Sequence, residues 1–258
     1  MSVNIDFGKT AEDYAVHREG FPAELLTRLL QFGIGLPAQH IVDLGTGTGT
    51  LARQFAQNGA IVTGVDIAPE LIKKAQLLDQ QAGVSVDYHI SDSSSLPLSS
   101  CSQDVITAGQ CWHWFDAAST AQECMRVLRP SGAIVICHFD WLPLRDNVVE
   151  LTEALILKHS PTWQMSGGNG LYPRWLTDLA LAGFEEIETF SFDKTVNYSQ
   201  ESWRGRIRAS AGISASLNKK KVEQFDQELK QALQQNFPKD PLPIPHRVWA
   251  VIARKPNR

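Results

Sequence analysis

Gly45, Gly47 and Gly49 stand at alternate positions directly after the apolar run Ile41 to Leu44, and Asp66 closes the next apolar run, Ala60 to Val65. Glycine in such a place does two things. It permits positive φ where a chain turns from strand into helix, and its missing side chain lets a ligand lie against backbone N–H groups at a helix N-terminus. Asp66 adds a carboxylate at the end of the second strand, with two oxygens that can accept both hydroxyls of a ribose. The ligand implied is a nucleoside. A dinucleotide fingerprint of the form G-x-G-x-x-G needs a third glycine at position 50 when Gly45 and Gly47 are the first two, and that position is Thr50.

The run V-D-L-G-T-G-T-G followed by Asp66 resembles the first two motifs of class I S-adenosylmethionine (SAM) dependent methyltransferases. The resemblance implies SAM as the cofactor, held by Asp43, Gly45, Thr46, Gly47, Asp66 and Ile67. S-D-S-S-S-L-P-L resembles the family motif in which an acid and the next backbone N–H bind adenine, and it carries that role to Asp92 and, through its main chain, to Ser93. The family commonly has Ala-Glu after the acid, where this chain has Ser93 and Ser94. Gln110 and the hexamer C-W-H-W-F-D resemble the signature Q-x-x-H-W-F-D, which adds Gln110 to the cofactor residues. Phe7, Ala11, Tyr14, Arg18, Phe21 and Pro22 resemble the N-terminal segment of a subgroup that includes trans-aconitate methyltransferase-like enzymes. There the segment caps the bound SAM, which implies Tyr14 and Arg18 as cofactor contacts; Glu19 departs from the family's usual proline.

Positioning these residues requires strands that end together. Ile41 to Leu44, Ala60 to Val65, Val84 to Ile90, Gln103 to Gln110 and Ala133 to Phe139 read as strands, and Leu71, Ile72, Ala75 and Leu78 keep helical spacing until Gly83. The stretch Ala117 to Leu128 reads as a helix, and Arg129 to Gly132 as a turn resembling the family's R-P-G-G. Strands alternating with helices predict an α/β fold with a doubly wound, mostly parallel sheet and right-handed crossovers. The family resemblance makes that sheet seven-stranded and Rossmann-like. Gly45, Asp66, Asp92, Gln110, His113 and His138 all fall at the carboxyl ends of strands, where ligands bind in such sheets. The chain reads as one domain with a helical cap over 1–36, a SAM-binding core over 37–140 and a substrate-side lid with the last strands over 141–258. In that last part Leu171 to Gly183 reads as a helix, Phe184 to Val196 as a strand and Ser199 to Asn236 as a helical insertion before a last, antiparallel strand, His246 to Ala253.

The substrate side is marked by Trp112, Trp114 and Trp203, aromatic residues suited to line a pocket. Arg206 or Arg208 could clamp a substrate carboxylate; two apart on a helix they point in different directions, so only one faces a ligand. His113 and His138 are the candidate bases for a hydroxyl acceptor. A net charge of −4 gives no general attraction to nucleic acid, and neither N-P-P-Y nor a Pro-Cys dipeptide of nucleobase methylation occurs. Lys219 to Lys221 opens a helix as a solvated face. Cys101, Cys111, Cys124 and Cys137 form no C-x-x-C pair, no side-chain cluster has metal-ligand spacing, and no apolar run approaches a membrane span. With no signal pattern in MSVNIDFGK, the expectation is a cytoplasmic protein with reduced thiols, no metal, no membrane and no nucleic-acid partner. The function expected is O-methylation of a carboxylate or hydroxyl on a small molecule. N- or C-methylation, SAM binding without turnover and nucleotide-dependent redox chemistry stay open beside it, as does the oligomeric state.

Overall fold

A computed structural model describes residues 20–210, 212–213 and 216–257. The strands are β1 (His40–Leu44), β2 (Ile61–Asp66), β3 (Asp87–Ile90), β4 (Gln103–Gly109), β5 (Leu128–Trp141), β6 (Glu185–Tyr198) and β7 (Leu242–Arg254). The helices are α1 (Ala23–Leu30), α2 (Thr50–Gln57), α3 (Pro69–Ala82), α4 (Ala117–Val127), α5 (Val148–His159), α6 (Arg174–Leu181), α7 (Gln200–Arg208) and α8 (Lys219–Asn236). Contacts group them into two units. The first, called the cradle unit below, holds residues 20–139, 172–191 and 248–257; the second, the helical unit, holds 140–171 and 192–247.

The β1 side chains Ile41, Val42 and Leu44 are fully buried, as a central parallel strand covered on both faces requires. β1 pairs in parallel with β2 and with β4, β2 with β3, and β4 with β5. The complete order is β3-β2-β1-β4-β5-β7-β6. Leu142 N donates to Pro245 O and Ser131 N to Lys255 O, so β7 descends as β5 rises and that pair is antiparallel. This is the doubly wound, mostly parallel sheet that the alternating elements predict. The chain winds outward from β1 through β2 to β3, then restarts at β4 on the other side. The reversal opens a crevice at the carboxyl ends of β1 and β4.

The core of the cradle unit joins Leu44, Val65, Ile106 and Ile136 to Trp112, Trp175 and Trp249. In the helical unit Phe225, Leu229 and Leu233 of α8 recur at helical spacing and pack with Trp203 and Ile207 of α7. Two local expectations differ. Pairing of β3 begins only where Asp87 meets Thr63, so Val84 to Val86 stay outside the strand. The R-P-S-G segment is an irregularity within β5: Gln103 pairs with Leu128 but Val105 with Ala133, and Ser131 takes up the extra chain at φ 61. The insertion from Ser199 is two helices, each opened by its own cap, Ser199 accepting from Ser202 N and Asn218 from Lys221 N. Among the described residues no helix is long and apolar enough to cross a membrane. All four cysteines are free thiols, and burial pushes those of Cys124 and Cys137 upward.

Candidate functional site

The glycine turn is shaped from behind and left open in front. Gly45, Gly47 and Gly49 have φ of 56°, 57° and 74°, the left-handed region in which glycine carries no steric penalty. A Cβ on Gly45 would lie 2.8 Å from Cys111 Cβ, so packing alone demands glycine there. Among the described residues a Cβ on Gly47 would meet nothing nearer than Gly45 O at 4.0 Å. The backbone at Gly47 is therefore uncovered, which is the property a ligand cradle needs. Asp66 fixes this turn: its Oδ2 accepts from Gly47 N at 2.8 Å and its Oδ1 from Ala68 N at 2.9 Å. Burial raises its pKa.

Asp43 Oδ2 accepts from Thr46 Oγ1 at 2.8 Å and Oδ1 from Thr107 Oγ1 at 2.7 Å, and burial pushes this carboxyl up to about 6. The sequence places Asp43 and Thr46 among the cofactor contacts; in the structure their side chains engage each other beneath the turn. Ile67 is 67% exposed although apolar, directly beside Asp66. Asp92 is exposed after β3, with Oδ1 accepting from Ser94 N and Oγ, bonds that lower its pKa. Ser93 is buried with its hydroxyl on Thr120, which leaves its main chain for any ligand role. A glycine turn with room over Gly47, a buried acid at the end of β2, an exposed apolar side chain and a second acid after β3 are compatible with SAM. Tyr14 and Arg18 lie outside the described residues.

Strand register sets the next group. Leu44, Ala108 and Ile136 form one row across β1, β4 and β5, so Gln110 and His138 both lie two residues beyond it. Gln110 has φ 61 and anchors itself, donating from N to Cys137 O and from Nε2 to Phe139 O. A single 3-10 turn, Trp112–Trp114, follows. It turns Trp112 inward, 1% exposed, with Nε1 donating to Asp178, and leaves His113 and Trp114 exposed. Trp112 as a pocket wall is corrected: a buried indole with a satisfied N–H has no face for a substrate. The two candidate bases do meet. The His113 and His138 rings are 5.5 Å apart, edge to face. Tyr172 hydroxyl shares a 3.2 Å hydrogen bond with His138 Nδ1 and stacks on Trp175 at 4.2 Å. Sequence reasoning missed Tyr172; its one signal is an aromatic residue before Pro173 at a helix entry.

The helical unit separates its three candidates. Trp203 is fully buried, with Nε1 donating to Thr152 Oγ1, so it is core and not a substrate surface. Arg208 forms ion pairs with Asp226 at 2.6 Å and Glu201 at 3.2 Å, which removes it as a clamp. Arg206 lies with its guanidinium 5.1 Å from the centre of the Trp141 ring.

A model of the family described as "Methyltransferase domain" matches residues 42–136, the span of the glycine turn, both acids and the histidine turn. An uncharacterized methyltransferase of Mycobacterium bovis is 31% identical over 198 residues, 69% of this chain and 76% of the relative. A ubiquinone biosynthesis O-methyltransferase of Xanthomonas campestris is 26% identical over 180 residues, 69% of this chain and 73% of that protein. Among solved structures, the YcgJ protein of Bacillus subtilis (TM-score 0.60, 18% identity, 91% of this chain, 99% of that one) shares the fold. So does a phosphoethanolamine N-methyltransferase of Haemonchus contortus in complex with S-adenosylhomocysteine (TM-score 0.59, 20% identity, 99% of this chain, 60% of that one). With the nucleoside cradle, the sheet order and these relatives in agreement, the chain belongs to the class I SAM-dependent methyltransferases.

Proposed function

We propose that the protein O-methylates a hydroxyl on a small molecule in the cytoplasm, with His113 taking the acceptor's proton. SAM, when bound, supplies a methyl group on a sulfonium, an electrophile that needs no further activation. The protein's part is then to hold the cofactor, place the acceptor and receive its proton. Asp66 would accept the ribose hydroxyls, Ile67 would cover the adenine, Asp92 and Ser93 N would bind its edge, and Gly45 and Gly47 would lie against the rest; Tyr14 and Arg18 are assigned to the cap over it.

The observation that carries hydroxyl chemistry is the stack Tyr172–His138–His113. The row containing Gly45 and the row containing His138 are adjacent along the strands, and β1 and β5 are two strand spacings apart, roughly 10 Å. His113 is exposed while His138 is buried. The buried ring, held by Tyr172, fixes the exposed one edge to face. A carboxylate acceptor is ionised at neutral pH and needs no base; a hydroxyl gains from one by roughly 100- to 10,000-fold. The similarity to a ubiquinone biosynthesis O-methyltransferase supports the same acceptor atom.

Incubation with methyl-labelled SAM and a panel of phenols, aliphatic hydroxy compounds, amines and carbon acids tests the reading, with the methyl position assigned by mass spectrometry and NMR. O-methyl products, and at least a 100-fold fall in kcat for His113→Asn with unchanged S-adenosylhomocysteine affinity, are expected. Products carrying the methyl only on nitrogen or carbon reject it. Cofactor binding with no product from any acceptor supports a regulatory SAM-binding role instead.

A further inference from the structure

We infer that Arg206 is a carboxylate-binding residue of the helical unit, and that the molecule it receives is an organic acid on an apolar frame. The binding site does not rest on the O-methylation reading above.

Helix α7 carries three arginines with different fates. Arg204 and Arg208 both bond Asp226 and Glu201, two cations matched by two acids. Arg206, on the other side of the helix, forms no ion pair among the described residues. Its guanidinium lies over the Trp141 indole at 5.1 Å, and its Nε is buried with no hydrogen-bond acceptor among the described residues. A cation over a ring face keeps its N–H groups in the guanidinium plane, directed to the side and unused. A buried donor without an acceptor is costly, and a ligand oxygen removes that cost.

The surroundings select the ligand. The Trp141 indole is immobilised by its Nε1 bond to Glu153 at 2.9 Å and by Trp203 edge-on at 5.5 Å. Glu153 cannot turn to Arg206, because its second oxygen accepts from Ser166 Oγ and Gly167 N. The buried His246, stacked on Tyr198 at 5.9 Å, is pushed down to about 4 by burial and by the Arg206 charge, so it is neutral at pH 7. One permanent cation beside a neutral imidazole matches a single negative charge. A phosphate dianion would bring a second charge, and Asp140, whose field acts on His246, disfavours each added negative charge. A guanidinium fork fits a planar carboxylate through two parallel bonds. The apolar neighbours of the fork, the Trp141 and Trp203 indoles, suit an acid on an apolar frame.

The test uses benzoate and its neutral isostere benzamide, titrated without SAM into the full chain and followed by calorimetry and tryptophan fluorescence. Wild type is expected to prefer benzoate by about 10- to 100-fold, the measure of a charge-assisted pair. Arg206→Met should bind both probes alike, and Arg206→Lys, which keeps charge but loses the fork, should retain only part of the preference. If Arg206→Met does not fold, the Arg206→Lys comparison decides. Equal binding of the two probes to wild type, no binding of either up to millimolar concentration, or an undiminished preference in Arg206→Lys and Arg206→Met overturns the inference. Because no methyl transfer is measured, any of these leaves the O-methylation reading untouched.

Discussion

Replacing Gly45 and Gly47 separately by alanine distinguishes packing from ligand binding at two positions only two residues apart. Both have φ near 57°, so either alanine meets the left-handed penalty of roughly 1–2 kcal/mol. At Gly45 the new Cβ would also stand 2.8 Å from Cys111 Cβ, 2.9 Å from its Sγ and 3.1 Å from Phe115 Cζ. Relieving that overlap in a closed core adds roughly 1–3 kcal/mol, for a total of about 2–5 kcal/mol. At Gly47 the nearest atom is 4.0 Å away and no overlap is added. Urea unfolding should therefore report a loss of about 1–2 kcal/mol for Gly47→Ala and clearly more for Gly45→Ala. Calorimetric titration with S-adenosylhomocysteine should show the reverse order of interest: Gly47→Ala, well folded, loses at least tenfold in affinity because its methyl occupies the space over the open backbone. Wild-type affinity in a folded Gly47→Ala protein would refute the assignment of that opening to the cofactor.

Asp66→Ala should weaken S-adenosylhomocysteine binding by roughly 1.5–3 kcal/mol for each ribose bond lost, read by the same titration; undiminished affinity sinks the ribose role. Tyr172→Phe should lower kcat severalfold and leave the cofactor Kd in place, since it removes the hydroxyl that bonds His138 and keeps the ring; a changed Kd with constant kcat would make it a cofactor residue. Two buried groups give opposite pH dependences. Asp43, raised to about 6, binds its proton more tightly in the folded state, so its contribution to stability falls as pH rises from about 4 to about 6. His246, lowered to about 4, is protonated more readily in the unfolded chain, so its contribution is lost as pH falls from about 6.5 to about 4. Each is worth on the order of 3 kcal/mol, and the two largely offset each other in wild type. Urea midpoints across that range should fall toward acid in Asp43→Asn and rise toward acid in His246→Gln; parallel, flat profiles in both would contradict the burial argument.

The cofactor half of the molecule was legible because its chemistry is local. Glycines at alternate positions and the acid at the end of the following strand report a turn and the carboxylate that bonds it within one stretch of chain, and alternating elements report the sheet. Legibility failed where the deciding partner is remote. Which arginine of α7 is neutralised depends on Asp226 of α8, and no spacing rule relates the two. Trp112 and Trp203 attract attention as aromatic residues, yet Asp178 and Thr152, each far along the chain, satisfy their N–H groups inside the core. Tyr172 reaches His138 across 34 residues, and only folding brings them together. The Arg129 to Gly132 segment reads as a turn from its own residues, but strand pairing on both sides absorbs it into β5.

The account stands most directly on what the cradle binds. Calorimetric titration of the purified protein with S-adenosylhomocysteine, and with NAD in a separate cell, measures this. The account predicts saturable micromolar binding of S-adenosylhomocysteine, reduced in Asp66→Ala, and none of NAD. Binding of NAD alone, or S-adenosylhomocysteine binding that neither Asp66→Ala nor Gly47→Ala disturbs, would contradict it.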